Sequence, residues 1–492
     1  MFRFVENEQF NYEILLALGS AWRQGADVGE VLAAASAVAR APSPDSAPDG
    51  AATLWMSTWT ALARTAHAQA EKCAADGHPV SARQAFLRAA GYFGTALVAV
   101  DGVPDTEARL RELFAAHRDC FDRFAAAADP PAERVAVPYE DRTLPGYLFG
   151  PPGGPARLPT VIVNNGSDGP VSAAWTLLGA PAVARGYRAL LFDGPGQQSM
   201  LFEHGVTFRP DWENVITPVV DFLVARPDVD AERLVLAGIS QAGYWVPRAL
   251  AFEHRLAAAV ADPGVVEVAE SWWHQLGPDL RALWEAGDRD TFDRVMNEAL
   301  EESPALAATW RWRAAPYGVD SPFDLLTEVA EYTVAPVAHR ITTPLLITDP
   351  EGEHFWPVPR SACTTPCRAP RSWCGSPRPK APPCTASRWA ARCSSSGSST
   401  GWTRAWACGR TADAGRPPGA TVSCRRPSPG AAHSAVRSRI PRRRAGVGRP
   451  LRSRPAASNR RSANGAAWSA GCCSSRPRRR CRRRPAPAGT RV

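Results

Sequence analysis

Acidic residues all but stop at Pro359: 47 of the 48 Asp and Glu in this 492-residue chain precede it, and only Asp413 follows. Lys and Arg do the reverse. Thirty of the 57 lie beyond that point, so the body carries 27 bases against 47 acids, a net −20, and the remainder 30 against one, a net +29. Ten of the twelve cysteines also lie beyond Pro359, leaving Cys73 and Cys120 in the body. A segment of Arg, Pro, Ala, Ser, Gly and Cys with no Glu has no periodic apolar pattern to bury, and is expected to be disordered. Folding is therefore confined to the first 360 residues or so, which is length enough for two ordinary domains.

No run of eighteen apolar residues occurs, and the N-terminus (Met1-Phe2-Arg3-Phe4-Val5-Glu6-Asn7-Glu8) has acids where a signal peptide would be basic and then apolar. A cytoplasmic protein without a membrane span is expected, and two cysteines in a body this long fit a reducing compartment.

Residues 1–132 are rich in Ala, Leu, Glu and Arg, with apolar residues at helical spacing, as in Ala85-Phe86-Leu87-Arg88-Ala89-Ala90-Gly91-Tyr92-Phe93. They read as a helical domain, divided by a Pro- and Asp-bearing loop from Ala41 to Gly50 and closed by Pro130-Pro131. The pattern then changes to short apolar runs, each followed by a Gly-rich turn and a helical stretch, which is the signature of a mostly parallel α/β sheet. Glu133 to Gly150 reads as an antiparallel pair. Buried strands are expected at Thr160–Val163, Ala189–Phe192, Leu234–Ala237, Ala257–Ala261 and Leu345–Thr348. This second domain spans 133–357. The stretch of about 265–338 inside it is too long to be structureless, and the spacing of Trp272, Leu276, Leu280 and Leu283 predicts a helical insertion lying over the sheet as a lid.

The strand Leu234–Ala237 runs into Gly238-Ile239-Ser240-Gln241-Ala242-Gly243 and then a helix. This is a nucleophile elbow, in which a sharp strand-to-helix turn lifts a hydroxyl above the sheet and small neighbours are needed because backbones crowd there. Ser240 is the candidate nucleophile; Ala242 stands where a glycine is usual, and it too is small. The turn Asn164-Asn165-Gly166-Ser167-Asp168-Gly169 follows a neighbouring strand, so the backbone amides of Gly166, Ser167 and Gln241 are candidate oxyanion donors. Asp193, in the turn Asp193-Gly194-Pro195-Gly196, reads as structural. After the last strand, Asp349-Pro350-Glu351-Gly352-Glu353-His354-Phe355-Trp356-Pro357 crowds three carboxylates into one loop. Counting toward Pro357 puts Glu353 at the place of a triad acid, with Asp349 second; either would orient an imidazole.

These motifs, with the helical N-terminal domain, resemble the α/β-hydrolase branch that includes 2,6-dihydroxypseudooxynicotine hydrolase, fermentation-respiration-switch esterase-like proteins and fungal polyketide-shortening hydrolases. The likeness covers roughly residues 1–357. It implies an α/β-hydrolase fold with a helical lid, a serine–acid–histidine triad, neither metal nor organic cofactor, and a small-molecule substrate cleaved at an ester or at a carbon–carbon bond beside a ketone. A homodimer is compatible with it; membrane and specific nucleic-acid partners are not expected. Trp245, Trp272 and Trp273 near elbow and lid suggest an apolar or aromatic substrate, or plain core.

A triad also needs a histidine after the acid, because a serine hydroxyl without a base is a weak nucleophile. Only His354, one residue from Glu353, and His433, in an unpatterned stretch, remain. The composition beyond Pro359 is what a GC-rich gene yields in a wrong reading frame. Taking the third base of each codon with the first two of the next, the codons of Pro383 to Arg388 permit Leu-His-Cys-Glu-Pro, and those of Gly397 to Arg404 permit Val-Phe-Asp-Trp-Leu-Asp-Glu. Both resemble the family's closing segment. The hypothesis is a base lost near the codons for Pro357 and Val358, with the base histidine encoded across Cys384 and Thr385 but missing from the polypeptide. Residues 358–492 then form an out-of-frame tail. The alternatives are a catalytically dead hydrolase-fold binding protein, and salt-sensitive polyanion binding through clusters such as Arg442-Arg443-Arg444. The tail cysteines lack the paired C-x-x-C spacing of a zinc site.

Overall fold

The computed structural model describes residues 2–40, 50–154, 156–350, 353, 355 and 356. Most of the Ala41–Gly50 loop, His354, His433 and the whole of 358–492 lie outside the described residues.

Five helices precede the first strand: α1 (Glu8–Ser20), α2 (Val28–Ala39), α3 (Gly50–Ala75), α4 (Pro79–Leu97) and α5 (Thr106–Ala126). Local chemistry starts several of them. Asn7 and Asp27 accept from the Phe10 and Glu30 amides, and Pro79 stands in the first turn of α4, where its missing N–H costs nothing. The chain then forms β1 (Glu133–Tyr139) and β2 (Arg142–Phe149), β3 (Leu158–Asn164), α6 (Val171–Ala174), α7 (Ala180–Val183), β4 (Arg188–Phe192), α8 (Gln198–Phe202), α9 (Glu213–Val224), β5 (Val229–Ile239), α10 (Ala242–Leu250) and β6 (Ala258–Asp262). The expected insertion is α11 (Glu270–Glu285), bent at Gly277 (φ +84°) before Pro278, then α12 (Arg289–Glu302), α13 (Pro304–Ala314) and α14 (Pro322–Ala330). Ser303 and Ser321 cap α13 and α14. A short β7 (Leu345–Ile347) ends the sheet.

The strands lie in the order β1-β2-β4-β3-β5-β6-β7, with β1/β2 and β2/β4 antiparallel and the rest parallel. Every expected strand is present. Alternation along them sends Val161, Val163, Val235 and Ala237 toward the N-terminal helices. Ile162, Leu190, Leu234 and Leu236 go to the opposite face, against α9, α10 and the insertion. Both faces of the central strands β3, β4 and β5 are thus covered, as parallel strands require. Leu236 is fully buried, which is worth about 2 kcal/mol for a side chain of that size.

Register then fixes where chemistry can sit. Asn164 of β3 lies beside Gly238 of β5, Ile239 beside Asp262 of β6, and Ala261 beside Ile347 of β7, so the loops leaving these strands emerge together. From β3 the chain goes to one side for β4 and to the other for β5. Such a reversal opens a crevice at the carboxyl ends of the strands, the usual ligand place in an open α/β sheet.

Candidate active site

Ser240 occupies that crevice in a backbone conformation few non-glycine residues adopt, φ +58°. The turn is over-determined. The Ser240 amide donates to the Asp262 carbonyl at 2.7 Å, and the Gly243 amide returns to the Ser240 carbonyl at 2.8 Å. A Cβ on Gly243 would lie 1.9 Å from the Pro263 carbonyl oxygen, and one on Gly238 2.8 Å from the Ala242 Cβ, which is why positions 238, 242 and 243 are small. Helix α10 begins at once, so the Gln241 amide sits at the positive end of its dipole.

The loop after β3 is packed directly on this serine. A Cβ on Gly166 would stand 2.9 Å from Ser240 Cβ and 3.3 Å from its Oγ. Side chains hold the loop's carbonyls from behind: Gln197 Nε2 donates to the Asn165 and Gly166 carbonyls (2.9 and 2.7 Å), while Gln197 Oε1 accepts from the Gly194 amide. Asn165 Nδ2 binds the Gly169 and Pro170 carbonyls, and Asn165 Oδ1 takes the Gly166 amide at 3.0 Å. The Gly166 amide is therefore already committed. Ser167 and Gln241 have no amide acceptor among the described residues.

The two candidate acids are placed differently. Asp349 is exposed on the loop after β7. Glu353 is half-buried, its carboxylate accepting from the Phe355 amide at 2.9 Å, and its charge is felt by Tyr12 and Asp262. Burial, aided by Glu353, pushes the Asp262 carboxyl up to about 6, although the Thr348 hydroxyl donates to it. Ser240 Oγ makes no hydrogen bond to another side chain among the described residues.

Several neighbours carry no sequence signal. Tyr12 and Glu13 on α1 are half-buried, Tyr12 edge-on to Phe355; desolvation raises the Tyr12 phenol and lifts the Glu13 carboxyl to about 8. Tyr317, in the turn after α13, hydrogen-bonds Gln241 Oε1 at 3.4 Å and packs edge-on to Trp272. The Trp312 indole donates to Asp168 at 3.1 Å. Asp193, read as structural, is buried and bound by Arg118 of α5 at 2.5 Å and by the Ser199 hydroxyl, tying the helices to the sheet. Trp245 is fully buried and stacked on Trp212 with ring centroids 4.1 Å apart, so it belongs to the core and not to a substrate wall. His67, Asp119 and Cys120 bring ligand-type atoms together in the helical region, but Arg123 already supplies the cation there, 3.0 Å from Asp119.

Known proteins resemble this chain. Hydrolyase poxO of Penicillium oxalicum is 30% identical over 349 residues, 68% of this chain and 80% of that protein. The chain belongs to the α/β-hydrolase superfamily. Alpha/beta hydrolase xenA of Xenoacremonium sinensis is 29% identical over 369 residues, 71% of this chain and 83% of its own. The crystal structure of the 2,6-dihydroxy-pseudo-oxynicotine hydrolase shares the fold, with a TM-score of 0.52 at 22% identity over 68% of this chain and 82% of that one. No family model matches. Relatives named as hydrolases make this chain a hydrolase. Among the described residues of the hydrolase no helix is long and apolar enough to cross a membrane.

Proposed function

We propose that the hydrolase works by serine nucleophilic chemistry on a small apolar or aromatic substrate, cleaving an ester or a carbon–carbon bond beside a ketone. One observation carries this: Ser240 at φ +58°, with Gly166 close against its hydroxyl. Oγ attacks a carbonyl carbon, and the oxygen that becomes negative is met by amide N–H groups of Gln241 and the Gly166–Ser167 turn, of which Gln241 and Ser167 are uncommitted. The histidine takes the Oγ proton and gives it to the departing alkoxide or carbanion equivalent, and water then cleaves the acyl-enzyme to release the acid and restore the serine. Glu353, whose charge reaches Asp262 and Tyr12, is favoured over exposed Asp349 to orient a histidine. The likeness to a solved 2,6-dihydroxy-pseudo-oxynicotine hydrolase supports a small-molecule substrate.

The base histidine of this mechanism is missing from the polypeptide, on the reading that one base was lost near the codons for Pro357 and Val358. The test is to restore the shifted frame and compare p-nitrophenyl ester turnover of the two proteins, with Ser240→Ala in the restored one. Restoration should create turnover, and Ser240→Ala should remove it by about a thousandfold or more. If the chain as written already turns over esters at the restored rate, and loses nothing on truncation after Pro357, the reading fails.

A further inference from the structure

Several partly buried arginines among the described residues come with a carboxylate: Arg118 with Asp193, Arg248 with Glu213, Arg209 with Asp211. Arg313, at the end of α13, has no carboxylate within 4.0 Å among the described residues. Its guanidinium lies against Trp272 and Phe355, 5.1 and 5.6 Å from the ring centroids, and one hydrogen bond, Nη1 to Gln275 Oε1 at 2.9 Å, uses one of its five N–H donors. The nearest acid to influence it, Asp168, is already engaged by the Trp312 indole and the Ser167 hydroxyl.

A second donor beside the nucleophile is also uncommitted. Gln241 is only 5% exposed, its Oε1 accepts from Tyr317, and its Nε2 has no partner. A buried N–H group left without an acceptor is costly, so such a group in a ligand crevice points to an acceptor on the ligand. The contacts form a path: Ser240 adjoins Gln241, Gln241 meets Tyr317, Tyr317 packs on Trp272, and Trp272 carries Arg313. This wall is made of aromatic faces and hydrogen-bond donors.

We propose that Arg313 and Gln241 form a substrate subsite for a molecule with two acceptor oxygens. Gln241 Nε2 takes a neutral carbonyl oxygen near the cleaved bond. Arg313 takes an anionic oxygen, a carboxylate or an enolate, held farther along an apolar or aromatic body. This deepens the serine-hydrolase reading and rests on it for the position of the cleaved bond.

The experiment uses the full chain as written and two probes of one shape, 4-phenylbutanoate and 4-phenylbutanamide, titrated by calorimetry. The carboxylate should bind roughly tenfold or more tighter than the amide, as a charge-assisted hydrogen bond allows. Arg313→Ala should bring the two within about twofold, and Arg313→Lys, which keeps the charge but not the fork, should retain part of the preference. If Arg313→Ala melts below the parent, the near-isosteric, uncharged Arg313→Gln replaces it and should show the same collapse. Equal binding of the probes by the parent, no binding of either, or a preference that survives loss of the Arg313 charge would overturn the subsite. The two readings fail separately. An anion preference in a protein whose frame-restored form turns over no ester leaves the subsite and removes the serine mechanism, whereas turnover without the preference does the opposite.

Discussion

The turns after β5 and after β7 leave the same edge of one sheet, yet they are built to different standards. Ser240 follows a strand with parallel neighbours on both sides, and its turn is fixed by the Asp262 carbonyl, by Gly166 and by the fit of Gly243 under Pro263. β7 has three residues and, among the described residues, a neighbour on one side only. Its Leu346 and Ile347 are 37% and 47% exposed, and Asp349 beyond them is exposed too. Apolar residues suit a parallel strand because both of its faces are normally covered. The nucleophile's half of the site is thus held by residues present in this chain, whereas the acid's half has the sequence of a covered strand without the cover.

That contrast can be broken most sharply at Gly243. Gly243→Ala forces a Cβ onto the Pro263 carbonyl, and should cost roughly 3 kcal/mol or more in urea unfolding; a variant as stable as the parent would show the elbow to be looser than described. Leu236→Ala, in the middle of β5, should cost about 3 kcal/mol by the same measurement, through the cavity it leaves. A smaller, pH-dependent effect is expected from Asp262→Asn. The folded chain keeps the Asp262 proton up to about pH 6, against an ordinary value of 3.8. Raising the pH strips it from the unfolded chain first, so the Asp262 contribution to stability falls between about 4 and 6 and then levels, while Glu13, lifted to about 8, continues the fall in parent and variant alike. Thermal melts across that window should show a shallower fall in Asp262→Asn, and parallel curves would refute the assignment. Least of all should happen at the open strand: Ile347→Ala is expected to change stability by less than about 1 kcal/mol. A loss matching that of Leu236→Ala would mean that β7 is covered after all.

Sheet and elbow were legible because their signals are local. Thr160–Val163 and Leu234–Ala237 are continuous apolar runs ending in glycine turns, and small residues at 238, 242 and 243 are demanded within a few residues of Ser240. The loop proposed to carry the acid was only half legible, since three carboxylates share it and their order along the chain does not single one out. Tyr12, Asp262, Arg313 and Tyr317 were not legible as site residues. Nothing within ten residues of any of them marks it, and they meet only because α1, β6 and the insertion converge on one crevice. Gly166 was legible as a turn glycine, but the capture of its amide by Asn165 Oδ1 depends on loop conformation and left no trace in the sequence.

The insertion is fastened at several points. Arg311 Nη2 reaches the Asp101 carbonyl at 2.7 Å, Thr309 meets Gln9 on α1, and Pro316 receives the Phe208 amide. A roof tied to the helices on one side and to the sheet loops on the other can lift only by breaking these bonds or by carrying its neighbours with it, which couples its movement to the N-terminal bundle, far along the chain from the serine.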